Sequence, residues 1–235
     1  MLGPSDTHPA AVLDAWDETA ALRALRLRLE PGAAARHERP GQVVKVRTGA
    51  GEGFFALASA PAPSGIAELL LKRGGAVADA AIALGAPGGA LALTAPFGRG
   101  FPVDAARGRD VLLFAAGSGI APIRALVQAL SARRDEVGRI TLFYGQRRGA
   151  EFAYRSEHLA WERRGIRVVL CPSAEDDAWP GVRGRVQEVA RSLAYGGVRI
   201  PGAAAFVSGM PPMVAGVRAA LAEAGVDPTL IHGNA

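Results

Sequence analysis

Residues 110–116 (DVLLFAA) run apolar without a break and stop at Gly117-Ser118-Gly119, after which a helical apolar period starts at Ile120. A strand with no polar alternation is covered on both faces, and such strands belong to parallel sheets flanked by helices. The same rhythm continues downstream, with strands expected over 139–144, 167–170 and 203–207 and helices over 120–133, 152–164, 184–193 and 211–224. Strand–helix repetition of this kind predicts a doubly wound parallel sheet, assigned to residues 110–235.

The preceding hundred residues have a different texture. Apolar stretches are short there, with strands expected over 21–30, 42–47, 54–59, 66–72 and 90–94 and a helix over 77–84. Pro40-Gly41 and residues 61–65 (PAPSG) break the pattern. Short strands at this spacing suggest a small antiparallel β-barrel, assigned to residues 10–103, with 104–109 as the junction. The expected fold is a two-domain chain, an antiparallel β-barrel followed by an α/β doubly wound sheet.

Composition removes several classes of function. At 235 residues, 49% hydrophobic and 21% charged, the chain has an ordinary globular balance. The lone Cys171 rules out an internal disulfide, and it is too few for an iron–sulfur cluster or zinc knuckle. His8, His37, His158 and His232 stand far apart without ligand spacing, so no metal is expected. A formal charge of +5 invites a nucleic-acid partner, but the basic residues are scattered among acids instead of forming a stripe. No apolar run approaches the roughly 18 residues of a membrane span. Residues 1–6 lack the pattern of a signal peptide, which gives a cytoplasmic expectation.

Three motifs carry chemistry. Gly117-Ser118-Gly119-Ile120-Ala121-Pro122 joins a buried strand to a helix, where glycines admit close approach and a helix start offers free N–H groups to a phosphate. A tight strand–helix turn would use the same glycines. It is not a GxGxxG fingerprint, because Pro122 stands at the third glycine. Ser208-Gly209-Met210-Pro211-Pro212-Met213 lies at a second strand end, and ligands of open parallel sheets bind along that edge. The third is a barrel pair, residues 54–61 (FFALASAP) and 96–101 (PFGRGF), which would otherwise read as strand and bend. Gly117-Ser118-Gly119 is not the Gly-x-Ser-x-Gly elbow of a serine hydrolase. Asp176-Asp177 reads as a solvated acid pair and His232 as a surface histidine.

The order ASAP, GG, PFGRGF, AGSGIAP, YGQR and SGMPPM resembles the ferredoxin–NADP reductase superfamily over residues 10–232. Within it, the chain is most similar to compact FAD- and NAD(P)-binding oxidoreductases without an iron–sulfur domain. The resemblance implies an FAD-binding barrel, an NAD(P)-binding domain and hydride transfer at their junction. On the nicotinamide side it implies contacts from Gly117, Ser118, Gly119, Ile120, Ala121 and Pro122. It further implies Tyr144, Gly145 and Arg147 toward the adenosine, and Gly209, Met210, Pro211 and Met213 near the nicotinamide ring. Ser208 takes the place of the family's cysteine and is the residue assigned to the reacting centre. Arg147 and Arg148 suit a 2′-phosphate, and nothing there decides between NADH and NADPH.

On the flavin side the resemblance implies Phe55, Ala56, Leu57, Ala58 and Ser59, then Arg73, Gly74, Gly75, Ala76 and Val77. Here the chain departs from its relatives, since the family's Arg-x-Tyr-Ser is Gly53-Phe54-Phe55-Ala56. Loss of a charge-assisted pair and a hydroxyl contact costs a few kcal/mol, roughly 10²-fold in affinity. The expected FAD site is therefore weakened, with FMN a possible occupant. Arg73, Arg99, Arg124, Arg147 and Arg148 are expected to face cofactor phosphates. The expected activity is a flavin-dependent NAD(P)H oxidoreductase serving an unidentified electron acceptor, such as a separate redox protein. The alternative is an NAD(P)-binding, flavin-deficient electron-transfer or sensor subunit of a larger complex.

Overall fold

A computed structural model describes residues 6–174 and 179–234. The pair Asp176-Asp177 lies outside the described residues. Six strands form the first sheet: β1 (Thr7–Thr19), β2 (Leu22–Arg28), β3 (Val43–Thr48), β4 (Gly51–Ala56), β5 (Ile66–Lys72) and β6 (Ala90–Thr94). A short α1 (Pro31–Ala34) and the longer α2 (Ala76–Leu84) interrupt them. The order is β4-β3-β6-β1-β2-β5, with antiparallel neighbours throughout. Just past β4, Leu57 pairs with Leu69 of β5, so the two edge strands meet and the sheet closes on itself. Alternate residues fill the interior, among them Leu25 and Leu27, Val44 and Val46, Leu69 and Leu71, Leu91 and Leu93.

The long β1 has no counterpart in the expectations from sequence. Pro9, Asp14, Asp17 and Glu18 interrupt its apolar character, and only Ala10 and Val12 are buried along it. Its pairing with β2 and β6 sets its conformation, in place of any alternation of its own.

The second sheet is parallel, in the order β11-β10-β7-β8-β9, built from β7 (Val111–Ala116), β8 (Ile140–Gln146), β9 (Ile166–Pro172), β10 (Ala204–Ser208) and β11 (Ile231–Gly233). Helices α3 (Ile120–Ala132), α4 (Arg155–Arg163), α5 (Val186–Ser192) and α6 (Pro211–Glu223) cover it. Along β7, Leu113 and Ala115 pack into one core, and Leu112 and Phe114 into another on the opposite face. That division explains the unbroken apolar run, because neither face meets water. The three-residue β11 is too short to have been visible as a strand in sequence.

The core on the α3 side continues into the barrel. Leu22, Ala24, Ala58, Leu70 and Phe101 pack with Leu113, Ile123 and Phe206 in a single cluster. Phe101 meets Phe206 edge-on, with ring centroids 5.7 Å apart. The two sheets thus share buried contacts, and a cleft opens beside them.

Candidate functional site

The cleft has a volume of about 1180 Å³. One wall is the parallel sheet's carboxyl edge, where four strands end: Gly117 and Gly119 after β7, Gln146 and Arg147 at β8, Cys171 and Ser173 at β9, Ser208 and Met210 at β10. The other wall is the barrel face of Phe54, Phe55, Ala56, Leu22 and Leu70. Carboxyl ends of parallel strands collect ligands because the chain turns away there and helix starts converge.

The nucleotide-side wall is kept open by glycine. Gly117 has φ +59°, a conformation that L side chains seldom take. A Cβ on Gly119 would stand 2.5 Å from the Ser208 carbonyl oxygen and 2.9 Å from Gly209 Cα. The two turns therefore touch backbone to backbone, and only glycine allows it. The turn leads into α3 without a side-chain cap, and Pro122 sits in the first turn of that helix. The Ile120 N–H turns back onto the Gly117 and Ser118 carbonyls and Pro122 has none, so N–H groups for a ligand would come from the turn itself.

Of the residues expected on this side, Gly117, Ser118, Gly119, Ala121, Pro122, Gly145, Arg147, Ser208, Gly209, Met210 and Met213 line the cleft. Ile120 points into the core with no exposure. Tyr144 is also fully buried, and burial pushes its hydroxyl up to about 12. That hydroxyl donates to the Gly117 carbonyl at 3.4 Å and accepts from Gln146 Nε2 at 2.8 Å, so it braces the turn from behind. Pro211 is exposed, and its neighbour Pro212 faces the cleft instead. Cys171 is buried, its thiol pushed up to about 12 by desolvation, which keeps it protonated and unreactive. His232 is partly buried on β11 against Phe206 and is not among the cleft residues.

The barrel wall differs. Phe55 and Ala56 line the cleft, whereas Leu57 and Ala58 are wholly buried. The Ser59 hydroxyl accepts the Glu68 N–H at 3.0 Å. Arg73 does not line the cleft; it donates to Asp17 at 2.9 Å and to the Ala20 carbonyl at 3.4 Å. The Gly74 N–H donates to the Asp79 carboxylate at 3.0 Å, so an acid occupies the start of α2. Gly75, Ala76 and Val77 also lie off the cleft, and Val77 fills the space beside Gly53, 3.1 Å from a Cβ built there. Where it lines the cleft this wall is largely apolar, through Phe54, Phe55, Ala56, Leu22 and Leu70. Just before α2 the Gly74 N–H is thus engaged by the protein itself, while the Gly75 N-cap carries no side-chain cap.

The arginines expected on phosphates divide. Arg147 lines the cleft. Arg148 and Arg99 are exposed elsewhere. Arg124 is a correction: it is 7% exposed and turned into the seam between the sheets, because position 124 shares the core-facing stripe of α3 with Ile120 and Val127. Lys72, which heads the segment expected to face phosphate, lines the cleft from the end of β5, and Arg185 and Gln187, not foreseen from sequence, face it from the start of α5. Glu151, also missed, accepts the Arg147 N–H at 3.2 Å.

Residues 113–219 match the family described as the oxidoreductase NAD-binding domain. Sulfhydrogenase 1 subunit gamma of Pyrococcus furiosus is 31% identical over 192 residues, covering 79% of this chain and 65% of that one. The ferredoxin–NAD(+) reductase component of the alkene monooxygenase system of Xanthobacter autotrophicus is 31% identical over 217 residues, covering 89% and 64%. The chain thus spans a little under two thirds of each of these relatives. Among solved structures, a cytochrome P450 reductase from Amycolatopsis superposes with a TM-score of 0.83 at 24% identity, over 97% of this chain and 69% of that one. A ferredoxin NADP+ reductase from Neisseria gonorrhoeae, with bound FAD and NADP, gives 0.81 at 17% identity over 97% and 98%. Among the described residues no group of metal-binding side chains occurs, and no helix is long and apolar enough to cross a membrane.

Proposed function

We propose that the chain, which is similar to reductases of the ferredoxin–NADP reductase type, is a flavin-dependent NAD(P)H oxidoreductase working in the cleft between its two sheets. One observation carries this reading: an open glycine turn and the Ser208–Met213 turn share one sheet edge and face the apolar barrel wall of Phe55 and Ala56. A bound flavin would accept a hydride from reduced nicotinamide and release the electrons to a further acceptor.

The residues bind and orient. The Gly117–Gly119 turn receives the dinucleotide phosphates through its backbone N–H groups. Arg147 and Arg185 supply positive charge toward the adenosine end. Ser208, only 8% exposed, sets the floor beside the nicotinamide. Phe54 and Met210, 66% and 69% exposed, stand on opposite walls of the cleft and screen it from water when ligands fill it. Hydride transfer needs no side-chain acid or base, and among the described residues the cleft presents no paired one. Electrons would leave for a separate redox protein.

The second reading is an NAD(P)-binding subunit without flavin, favoured by the engagement of Arg73 with Asp17 and of Gly74 with Asp79. FAD or FMN added to the protein under anaerobic conditions, followed by NADH or NADPH, tests both. Bleaching of the flavin band supports the first reading. Nucleotide binding in a calorimeter with no bleaching selects the second, and absence of nucleotide binding removes both.

A further inference from the structure

An arginine taken out of water must have its donors engaged and its charge balanced. Arg124 achieves this with groups from both halves of the protein. Its Nη1 donates to the Ala58 carbonyl at 2.8 Å and stands 3.0 Å from Glu68 Oε1. Its Nε and Nη2 donate to the Glu157 carboxylate at 2.7–3.1 Å. The guanidinium lies over the Tyr154 ring, 4.5 Å from its centroid. Ala58 and Glu68 belong to the barrel, and Glu157 and Tyr154 to the parallel-sheet half.

One turn further along α3, Gln128 Oε1 accepts the Ala60 N–H at 2.9 Å. Between these two ties, the Ser59 hydroxyl holds the Glu68 N–H. The stretch 58–60 is therefore clamped to α3 at both ends. It continues directly from Phe55 and Ala56, the cleft's barrel wall. The same α3 begins at the nucleotide turn, and Arg124 lies about 6 Å along its axis at 1.5 Å per residue. A single helix thus carries the nucleotide turn at its tip and the grip on the opposite wall at its side.

Resting on the function proposed above, we propose that Arg124 is a positioning residue, which with Gln128 fixes the barrel wall against the Gly117–Gly119 turn. In doing so it sets the separation across the cleft at which hydride donor and acceptor meet. It touches neither of them. Its contribution is geometric, and a displacement of about 1 Å between reacting groups costs on the order of 10²-fold in rate.

The test compares wild type with Arg124→Gln, Arg124→Lys and Gln128→Ala in the full chain. Each is assayed for dye reduction by NADH or NADPH with added FAD, nucleotide affinity by calorimetry, and amide hydrogen exchange. For Arg124→Gln the expected result is a fall in kcat of about 10²-fold with nucleotide affinity within threefold. Arg124→Lys, which keeps the charge but not the fork, should recover part of it. Gln128→Ala should lower kcat several-fold and accelerate exchange of the Ala60 amide while α3 stays protected. Unchanged kcat in a folded Arg124→Gln protein overturns the proposal, as does a loss of affinity that accounts for the whole loss of rate. Should Arg124→Gln not fold, Gln128→Ala decides alone: rapid Ala60 exchange with unaltered kcat overturns it. A wild type that oxidises neither nucleotide defeats the underlying function and this role with it, whereas the variants bear on the role alone.

Discussion

The glycine turn that lines the cleft before α3 and the one that lies off it before α2 treat their polar groups differently. On the parallel-sheet side, Gly117 and Gly119 leave N–H groups at the start of α3 without a side-chain partner, and Gly119 exists to let two turns touch. On the barrel side, the Gly74 N–H just before α2 is taken by Asp79 and the neighbouring Arg73 pairs with Asp17, although α2 itself also starts without a side-chain cap. A helix start binds an anion only when nothing of its own already sits there. In the proposed function the first turn meets a dinucleotide's phosphates, and the apolar barrel wall of Phe55 and Ala56 meets an aromatic ring.

Placing a methyl group at the contact between the two turns should break this contrast most severely. Gly119→Ala must push the Ser208 carbonyl away, and overpacking of that kind costs about 1–3 kcal/mol. Nucleotide affinity measured by calorimetry should fall by about 10²-fold, with flavin affinity little changed. Equal loss of both ligands would mean that the walls are not independent.

Acid–base behaviour of the seam ranks next. Glu68 sits among Arg124 and Glu157 across the seam, Arg26 of β2 and the Tyr154 hydroxyl, and burial pushes its carboxyl up to about 7 despite the facing Arg124. Its folded pKa lies above its unfolded value near 4.5, so the folded protein holds this proton more tightly. The resulting stability is complete below about 4.5 and is lost as the pH rises through about 7. Glu68→Gln should therefore stabilise the protein at pH 8 relative to wild type, by about 2 kcal/mol, and have little effect at pH 4. Thermal unfolding across that range checks it, and a wild-type advantage at pH 8 would show that the ion pair outweighs the burial.

The smallest effect concerns the start of α2 itself. Asp79→Asn removes a negative charge from the first turn of α2, an effect on the scale of a helix-terminus charge, about threefold in affinity. The ratio of FMN to riboflavin binding, followed by fluorescence quenching, should rise by that factor. An unaltered ratio would mean that flavin phosphate does not approach α2.

Much of this arrangement was readable in the sequence because it rests on local pattern. The unbroken run of 111–116 marks a doubly covered strand, and glycine turns at two strand ends mark one sheet edge. Strands β5 and β6 coincide with the stretches expected for them. The losses have physical causes. β1 carries proline and charge along a strand whose conformation its partners impose, so it shows no period of its own. Arg124 stands seven residues after Gly117, and proximity in sequence suggested phosphate. The helical phase it shares with Ile120 and Val127 pointed the other way, into a seam that no linear reading displays. The ties of Asp79 and Arg73 were likewise invisible, because they depend on which acids the fold brings alongside.

The core that runs from Leu113 and Phe206 into Leu22, Leu70 and Phe101 has a consequence for how the chain can be divided. Severing it between residues 104 and 109 would not release two self-sufficient modules. Each piece would carry half of an apolar contact and part of the Arg124 charge cluster, leaving exposed hydrocarbon on both sides and separating Arg124 from Glu68. In evolutionary terms the barrel and the nucleotide sheet are not beads on a string, and a recombination event at that junction would have to bring a matching surface with it.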